Sequence, residues 1–454
     1  MPFHLPKSSR LSGETNNAAK RNPGAARGER PLAGSPATWV FSTYFAEGLP
    51  YGIIRLMSSA FFTDVGLKER YLGYLNFLGI PWNLKFLWAP LVDLFGTKRT
   101  WMIVLQALLS LVTAAVAAFC LVAAPPPGGM PALAPVAALF VVLAFLSATN
   151  DVAIDGYFQD GIVDPGEQAA WTGYRVFAYR VALILARSGF IGIAAFAAAR
   201  LAGAGAFAPW GYAFGAAALS MGCATLYHVA KAPRFEEARR GRRTWREVLR
   251  DYGQAFVTYA RQDRFPLVVL FIVFYKVGDE ILFSMNTPFL MRELGVTKGQ
   301  FAWLSGILGA LGAVAGTTIG GVWIRRSGLR RTIWPLTILM NFNIWAYVWL
   351  AWARPAASDS TGLLMIAAVH FYEQTAAGLG SAVLTVYILR TCLPEYRASH
   401  FAVGTAVMSL FSTFFGGFGG LIVESIGYLD MFLLAFFASI PSMLLLFFVP
   451  IRDP

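Results

Sequence analysis

Charge is what this 454-residue chain has least of: Asp, Glu, Lys and Arg make up 14% of it, against 57% hydrophobic residues. A soluble protein of this size needs a large charged surface, and here that surface is missing. Cysteine is scarce as well. Cys120, Cys223 and Cys392 stand far apart, each in or at the end of an apolar block, which excludes a disulfide framework and a cysteine metal site. They read as small apolar packing residues. The apolar–polar alternation over about 10 residues that marks a barrel strand is absent. So are a nucleophile–base constellation, a metal-ligand cluster and a phosphate loop, so no enzyme activity, metal or cofactor is expected. Residues 1–35 lack the apolar core of a signal peptide. Polar, basic and rich in Gly, Pro, Ala and Asn, they are expected to form a disordered cytoplasmic tail.

What is present is apolar sequence in long blocks, with a mean hydropathy of +0.56. A helix needs about 20 apolar residues to cross about 30 Å of hydrocarbon. Backbone in lipid must bond internally, so these blocks read as helices. Spans are expected near 37–62, 71–95, 101–123, 134–158, 169–199 and 210–230, then 266–291, 300–324, 332–353, 361–392, 399–423 and 430–450. The predicted fold is an all-α membrane protein with 12 transmembrane helices in two six-helix bundles, 36–230 and 266–454, joined by a linker over 231–265. In that linker Trp245, Val248, Leu249, Tyr252, Phe256 and Tyr259 fall at helical spacing with Arg opposite. This predicts an amphipathic helix on the cytoplasmic membrane surface.

The net charge of +12 is not a nucleic-acid signal here, because its location follows the membrane. With the N-terminus inside, basic clusters fall on the cytoplasmic face at Lys98-Arg99, at Arg239, Arg240, Arg242, Arg243 and Arg246, and at Arg325, Arg326, Arg330 and Arg331. The other face holds single charges such as Lys68, Arg70, Arg200, Arg292, Lys298 and Arg354. Both termini are therefore expected to be cytoplasmic.

The halves repeat. Span 2 is followed by Asp93-Leu-Phe-Gly96-Thr-Lys98-Arg99-Thr100, and span 8 by Arg325-Arg-Ser-Gly328-Leu-Arg330-Arg331-Thr332. The Gly, the basic pair and the Thr match at an offset of 232 residues, and the same offset carries Glu47 of span 1 onto Asp279 of span 7. Gly permits the tight reversal, and the basic pair holds the loop in the cytoplasm.

Ionisable residues inside the membrane cost about 2.5–3.5 kcal/mol each on translocon scales, so they face the protein interior. Span 1 has Glu47 and Arg55, span 2 Lys85, span 4 Asp151 and Asp155, and span 5 Arg175, Arg180 and Arg187. Span 7 has Lys276, Asp279 and Glu280, and span 10 His370 and Glu373. Asp151 shares a helix face with Asp155, as Arg180 does with Arg187. Lys276 is spaced to pair with Glu280, and His370 with Glu373. Spans 1, 4, 7 and 10 line the cavity of a two-half transporter, so a polar or ionic solute is expected there. Arg180 and Arg187 offer bidentate recognition of carboxylate or phosphate. Glu47, Asp279 and Glu373 are proton-carrier candidates, and His370 could share that duty. Asp93, Asp160 and Arg175 are expected at the cytoplasmic ends, latching loops. Glycine rows (Gly312, Gly316 and Gly320; Gly416 and Gly420) are expected to let helices approach closely.

The Asp93–Arg99 loop resembles the signature of the major facilitator superfamily. Further segments resemble its AmpG-like muropeptide permease branch, with the related acetyl-coenzyme A transporters and siderophore importers. They are YFAEGLPYG at 44–52, FLGIPWNLKFLWAPLVD at 77–93, ATNDVAIDGY at 148–157, Tyr179-Arg180, FYKVGDE at 274–280, and Phe371 to Gly380. The resemblance implies a monomeric permease of the bacterial inner membrane that imports a cell-wall sugar–peptide with the proton gradient. It implicates Glu47, Lys85, Asp151, Asp155, Arg180, Lys276, Asp279 and Glu373. Arg55, Arg187 and Glu280 stand where the muropeptide branch is expected to have small or apolar residues. They favour a more anionic cargo, such as a siderophore or other carboxylate-rich conjugate. The charged interior argues against export of an apolar drug.

Overall fold

The computed structural model describes residues 36–122, 133–201, 205–235, 245–393 and 396–451. The expected tail, and Arg239, Arg240, Arg242 and Arg243 of the central basic cluster, lie outside these residues. All the secondary structure described is helical. In chain order α1 covers 36–64, α2 69–94, α3 Lys98–Val122, α4 Ala134–Gly161, α5 165–200 and α6 Phe207–Lys231. Then come α7 at Trp245–Ala260, α8 over 265–293, α9 over 298–327, α10 at Leu329–Ala353, α11 at Ser360–Thr391, α12 over 397–426 and α13 over 428–445. The expected spans are α1–α6 and α8–α13.

Among the described residues, seven helical stretches are long and apolar enough to cross a membrane. One of these, Gly419–Leu445, is two helices joined at Gly427, whose φ of 80° lies in the region that favours glycine. The other expected spans are segmented or carry polar residues. In α2, Pro81 and Pro90 each sit in the first turn of a new helical piece, after the 3-10 turns Leu75–Gly79 and Lys85–Leu87. Proline lacks the N–H and crowds the preceding turn, which favours a break at each of these points. α8 breaks at Lys276, between Phe265–Tyr275 and Val277–Pro288. Single π-turns interrupt α1 at Ile53–Met57, α5 at Leu185–Phe190, α8 at Phe289–Glu293 and α9 at Ala302–Leu308. Such turns concentrate at functional sites.

The repeat has a structural counterpart. Gly96 and Gly328 both take positive φ, at 69° and 77°, in the loops after α2 and α9. At the other end Gly66 and Gly295 do the same before α2 and α9, at 85° and 71°. Arg99 donates to the carbonyls of His228 (3.2 Å), Val229 (2.8 Å) and Ala232 (3.1 Å), closing the C-terminus of α6. Lys98 donates to the Val92 carbonyl of α2 at 3.0 Å. A cation at a helix C-terminus meets both the unpaired carbonyls and the dipole. Arg330 and Arg331 are exposed.

The apolar interior is one cluster toward the Gly66/Gly295 end, where Phe61, Leu72 and Phe190 of the first half join Met285, Phe289 and Met431 of the second. Toward the Gly96/Gly328 end it divides. Trp39, Tyr157 and Phe158 belong to a cluster wholly in the first half, and Phe271, Met340 and Tyr387 to one wholly in the second. Three ion pairs also join the halves at the Gly66/Gly295 end: Arg70–Glu424 (2.6 Å), Arg292–Glu69 (2.7 Å) and Lys298–Asp64 (2.8 Å).

The last turn of α7 meets the protein. The side chains of Trp245, Val248, Leu249 and Tyr252 lie outside the described residues, and Phe256 is exposed. Tyr259, however, is buried in the protein, hydrogen-bonded to Thr391 at 2.9 Å, and Thr258 meets His400 at 2.9 Å. The end of α7 docks on α11 and α12 because Tyr259 finds a polar partner there for its hydroxyl.

The Gly312, Gly316 and Gly320 row packs α9 on α11. A Cβ on Gly312 would stand 2.9 Å from the Phe371 carbonyl oxygen, and one on Gly316 would strike that of Thr375. Both contacts are with backbone, which cannot swing aside. Gly316→Leu is therefore expected to cost more than about 3 kcal/mol by overpacking and to remove the monodisperse peak in detergent size-exclusion chromatography. A folded variant would mean that α9 and α11 can separate within the half.

Candidate functional site

The break at Lys85 turns its ammonium into the first half, where it pairs with Asp151 of α4. Glu47 of α1 lies within electrostatic range of both, and its Oε2 is buried without a hydrogen-bond partner. One turn along α4, Asp155 accepts from Arg175 at 2.7 Å and from the Tyr44 hydroxyl at 2.9 Å. The Arg175 guanidinium also covers the Tyr44 ring at 4.2 Å and that of Phe158 at 4.3 Å. Asp151 and Asp155 do share a face, as their spacing requires. Arg175 is not a loop latch: Asp155 and two aromatic rings hold it against α1 and α4. Asp160 has an interaction partner, and the side chain of Asp93 lies outside the described residues.

In the second half Lys276 pairs with Asp279 at 3.7 Å, not with Glu280. The expected i,i+4 pair assumed an unbroken helix. Lys276 instead caps the new helix with φ −107° and ψ 1°, so its side chain reaches the third residue of the following turn. Asp279 is buried, with Oδ1 unpartnered. His370 Nδ1 lies 3.4 Å from Glu373 Oε2 and 3.2 Å from the Tyr347 hydroxyl. Gln374 donates to both Glu373 oxygens, at 3.1 and 2.8 Å. Asn286 donates to Tyr347 at 2.8 Å and reaches Glu373 at 3.4 Å.

The two halves meet over a pocket lined by Arg55, Ser59, Asn76, Arg187, Asn286 and Thr287, beneath the ion pairs of the Gly66/Gly295 end. Arg55 is in electrostatic range of Glu280 across the halves, and Arg187 of Glu373. The π-turns of α5 and α9 pack on each other here, with Ser188 donating to the Ala302 carbonyl at 2.7 Å. Arg180 stands exposed toward the other end of α5, and the ring of Tyr179 lies 6.0 Å from that of Tyr51.

Apart from Arg180, the charged candidates thus fall into three groups: Glu47, Lys85, Asp151 and Asp155; Lys276, Asp279, His370 and Glu373; and Arg55, Arg187 and Glu280 at the seam. Sequence reading missed Tyr44, Asn76, Asn286, Tyr347 and Gln374. Uncharged polar residues in a membrane helix can be satisfied by bonds between packed helices, so their presence does not by itself mark a site. The proximity of Asn76 to a broken, proline-rich stretch was the one available signal.

No family model matches the chain. Along its length it is 28% identical to the anhydromuropeptide permease of Escherichia coli K12, over 410 residues that cover 88% of this chain and 77% of that one. A Rickettsia conorii chain that carries the transporter name AmpG 4 is 24% identical, covering 90% of this chain and 95% of its own. Among solved structures, a bacterial homologue of the human lysosomal transporter Spinster, inward-facing and unoccupied, superposes with a TM-score of 0.68 at 15% identity, covering 92% of this chain and 97% of that one. A D-xylose–proton symporter gives 0.65 at 13%, covering 91% and 97%. At these identities the structures speak to fold alone. Together with the helical architecture, the two levels agree: the chain has the fold of these transporters and is similar over most of its length to the AmpG-type permeases.

Proposed function

We propose that this transporter imports a muropeptide-like solute, an anhydro sugar–peptide, with protons across the bacterial inner membrane. The observation that carries the reading is the buried Glu47–Lys85–Asp151 cluster, which falls on the same segments that resemble the muropeptide permeases. An interior acid beside an ion pair suits a proton carrier, because its charge has a partner in one protonation state only. Lys276, Asp279 and Glu373 supply the matching set in the second half, and Tyr179 and Arg180 flank the path on α5. Both termini and the Gly96/Gly328 loops are placed in the cytoplasm by their Lys and Arg. With the halves tied at the Gly66/Gly295 end, the chain is then in an inward-facing state and acts as a monomer in the bilayer.

Uptake of a radiolabelled anhydromuropeptide by right-side-out vesicles tests this. Uptake is expected to require the chain and an inward proton gradient, and to stop with a protonophore. Absence of uptake, or uptake that survives collapse of the gradient, overturns the reading. The seam cation Arg187 favours a second cargo, an anionic siderophore or metal chelate. Competition by the ferric complex would decide for it.

A further inference from the structure

Arg55 and Arg187 line one pocket, but their guanidinium groups are not equivalent. Arg55 donates through one nitrogen to the carbonyls of Leu75 (3.2 Å) and Asn76 (2.8 Å), and its second lies 3.5 Å from Asn76 Oδ1. These acceptors belong to the 3-10 turn Leu75–Gly79 of α2. Arg55 therefore fastens α1 to the broken part of α2, and its remaining charge faces Glu280.

Arg187 is different. Among the described residues its hydrogen bonding is one long bond to the Ser305 carbonyl, 3.4 Å away in the other half, and its Nε is buried with no partner. The hydroxyl of Ser305 is likewise buried and unpartnered. Glu373 does not absorb these donors, because its oxygens already accept from Gln374 and Asn286 and face His370. A buried donor left unmet is costly, and an arginine with free donors presents a planar fork that fits a carboxylate. The remaining pocket walls offer neutral hydroxyl donors, Ser59 and Thr287.

We infer that Arg187, with Ser305 beside it, is the cargo-anion contact of this transporter, and that Arg55 is a positioning residue. The ligand class is a solute bearing a free carboxylate that enters the seam and meets both halves at once. This rests on the import of a muropeptide-like solute as the function. The carboxylate would dock on Arg187 of α5 against the α8 wall of the pocket, so its binding is tied to the arrangement of the two halves.

The test uses the full-length protein in nanodiscs. Titration calorimetry is run with three probes: an anhydromuropeptide with free carboxylates, the same compound as its carboxamide, and citrate. The native protein is expected to prefer the free acid by about tenfold, the strength of one charge-assisted hydrogen bond. Arg187→Gln should bring the two forms within about twofold of each other, and Arg187→Lys should recover part of the preference. Arg55→Gln should lower the thermal unfolding temperature yet keep the ratio. Preserved preference in Arg187→Gln, or its loss in Arg55→Gln alone, overturns the assignment. Citrate separates the two levels. If the native protein binds citrate but not the muropeptide, and Arg187→Gln loses citrate, the cargo reading fails and the Arg187 assignment stands. Binding of none of the three sinks both.

Discussion

Lys85→Ala is expected to reduce transport by at least about 100-fold, because removing one partner of a buried ion pair costs about 3–5 kcal/mol. Asp151 would be left with its charge in the interior, 12% exposed at the side chain, beside Glu47, whose own Oε2 has no partner. Lys85 is 32% exposed, so the lower end of that range applies to folding stability. Two acids without their cation cannot both remain charged, so the proton equilibrium of the whole cluster changes. The double variant Lys85→Ala/Asp151→Asn removes the stranded charge. It should recover most of the thermal stability while remaining inactive. Vesicle uptake and thermal unfolding of the single and double variants check this together. Uptake near the native level in Lys85→Ala would mean that the pair serves folding only.

Gly420→Leu should have the second largest effect, and of a different kind. At this point α2 and α12 touch backbone to backbone across the two halves. A Cβ on Gly73 would lie 2.6 Å from the Gly420 nitrogen and 2.8 Å from the Gly417 oxygen, and one on Gly420 would strike the carbonyl of Glu69. Alongside, Arg70 gives its backbone N–H (3.0 Å) and its guanidinium (2.6 Å) to Glu424. A leucine has no space while the halves stay tied. They can part there without disturbing the clusters of the Gly96/Gly328 end, which are separate in each half. The variant should fold, fail to transport and expose the seam from the Gly66/Gly295 end. With Cys120, Cys223 and Cys392 replaced by serine, a cysteine at Asn76 should react with a membrane-impermeant maleimide about tenfold faster than in the glycine parent, a population shift of about 1.4 kcal/mol. Unchanged labelling with transport intact would show that the contact yields locally. Gly316→Leu is the contrast, since its clash lies inside one half and has no such escape.

Much of the architecture is legible in the sequence. Span length and internal backbone bonding are local properties, and the glycine-centred loops recur at a fixed offset, so the helical fold and its repeat follow from the chain read in order. The same applies to His370 beside Glu373 and to the shared face of Asp151 and Asp155, because both rest on unbroken α-helix. Lys276 with Glu280 failed for the opposite reason. Helix α8 stops at Lys276, and one changed ψ redirects the side chain to Asp279.

The sequence by itself determined a membrane chain of two related helical halves, the residues that must be kept from lipid, and the segments that resemble the muropeptide permeases. Insertion cost and turn geometry act on each residue where it stands, so they leave a mark in one dimension. Only the tertiary structure decided which charge meets which. It put Arg175 on Asp155, gave Arg55 to the carbonyls of α2, left Arg187 with free donors, and tied the halves at one end only. Those outcomes depend on helix breaks, on contacts between different helices of one half, such as Arg175 with Asp155, and on contacts across the seam between residues more than a hundred positions apart, where no local pattern reaches.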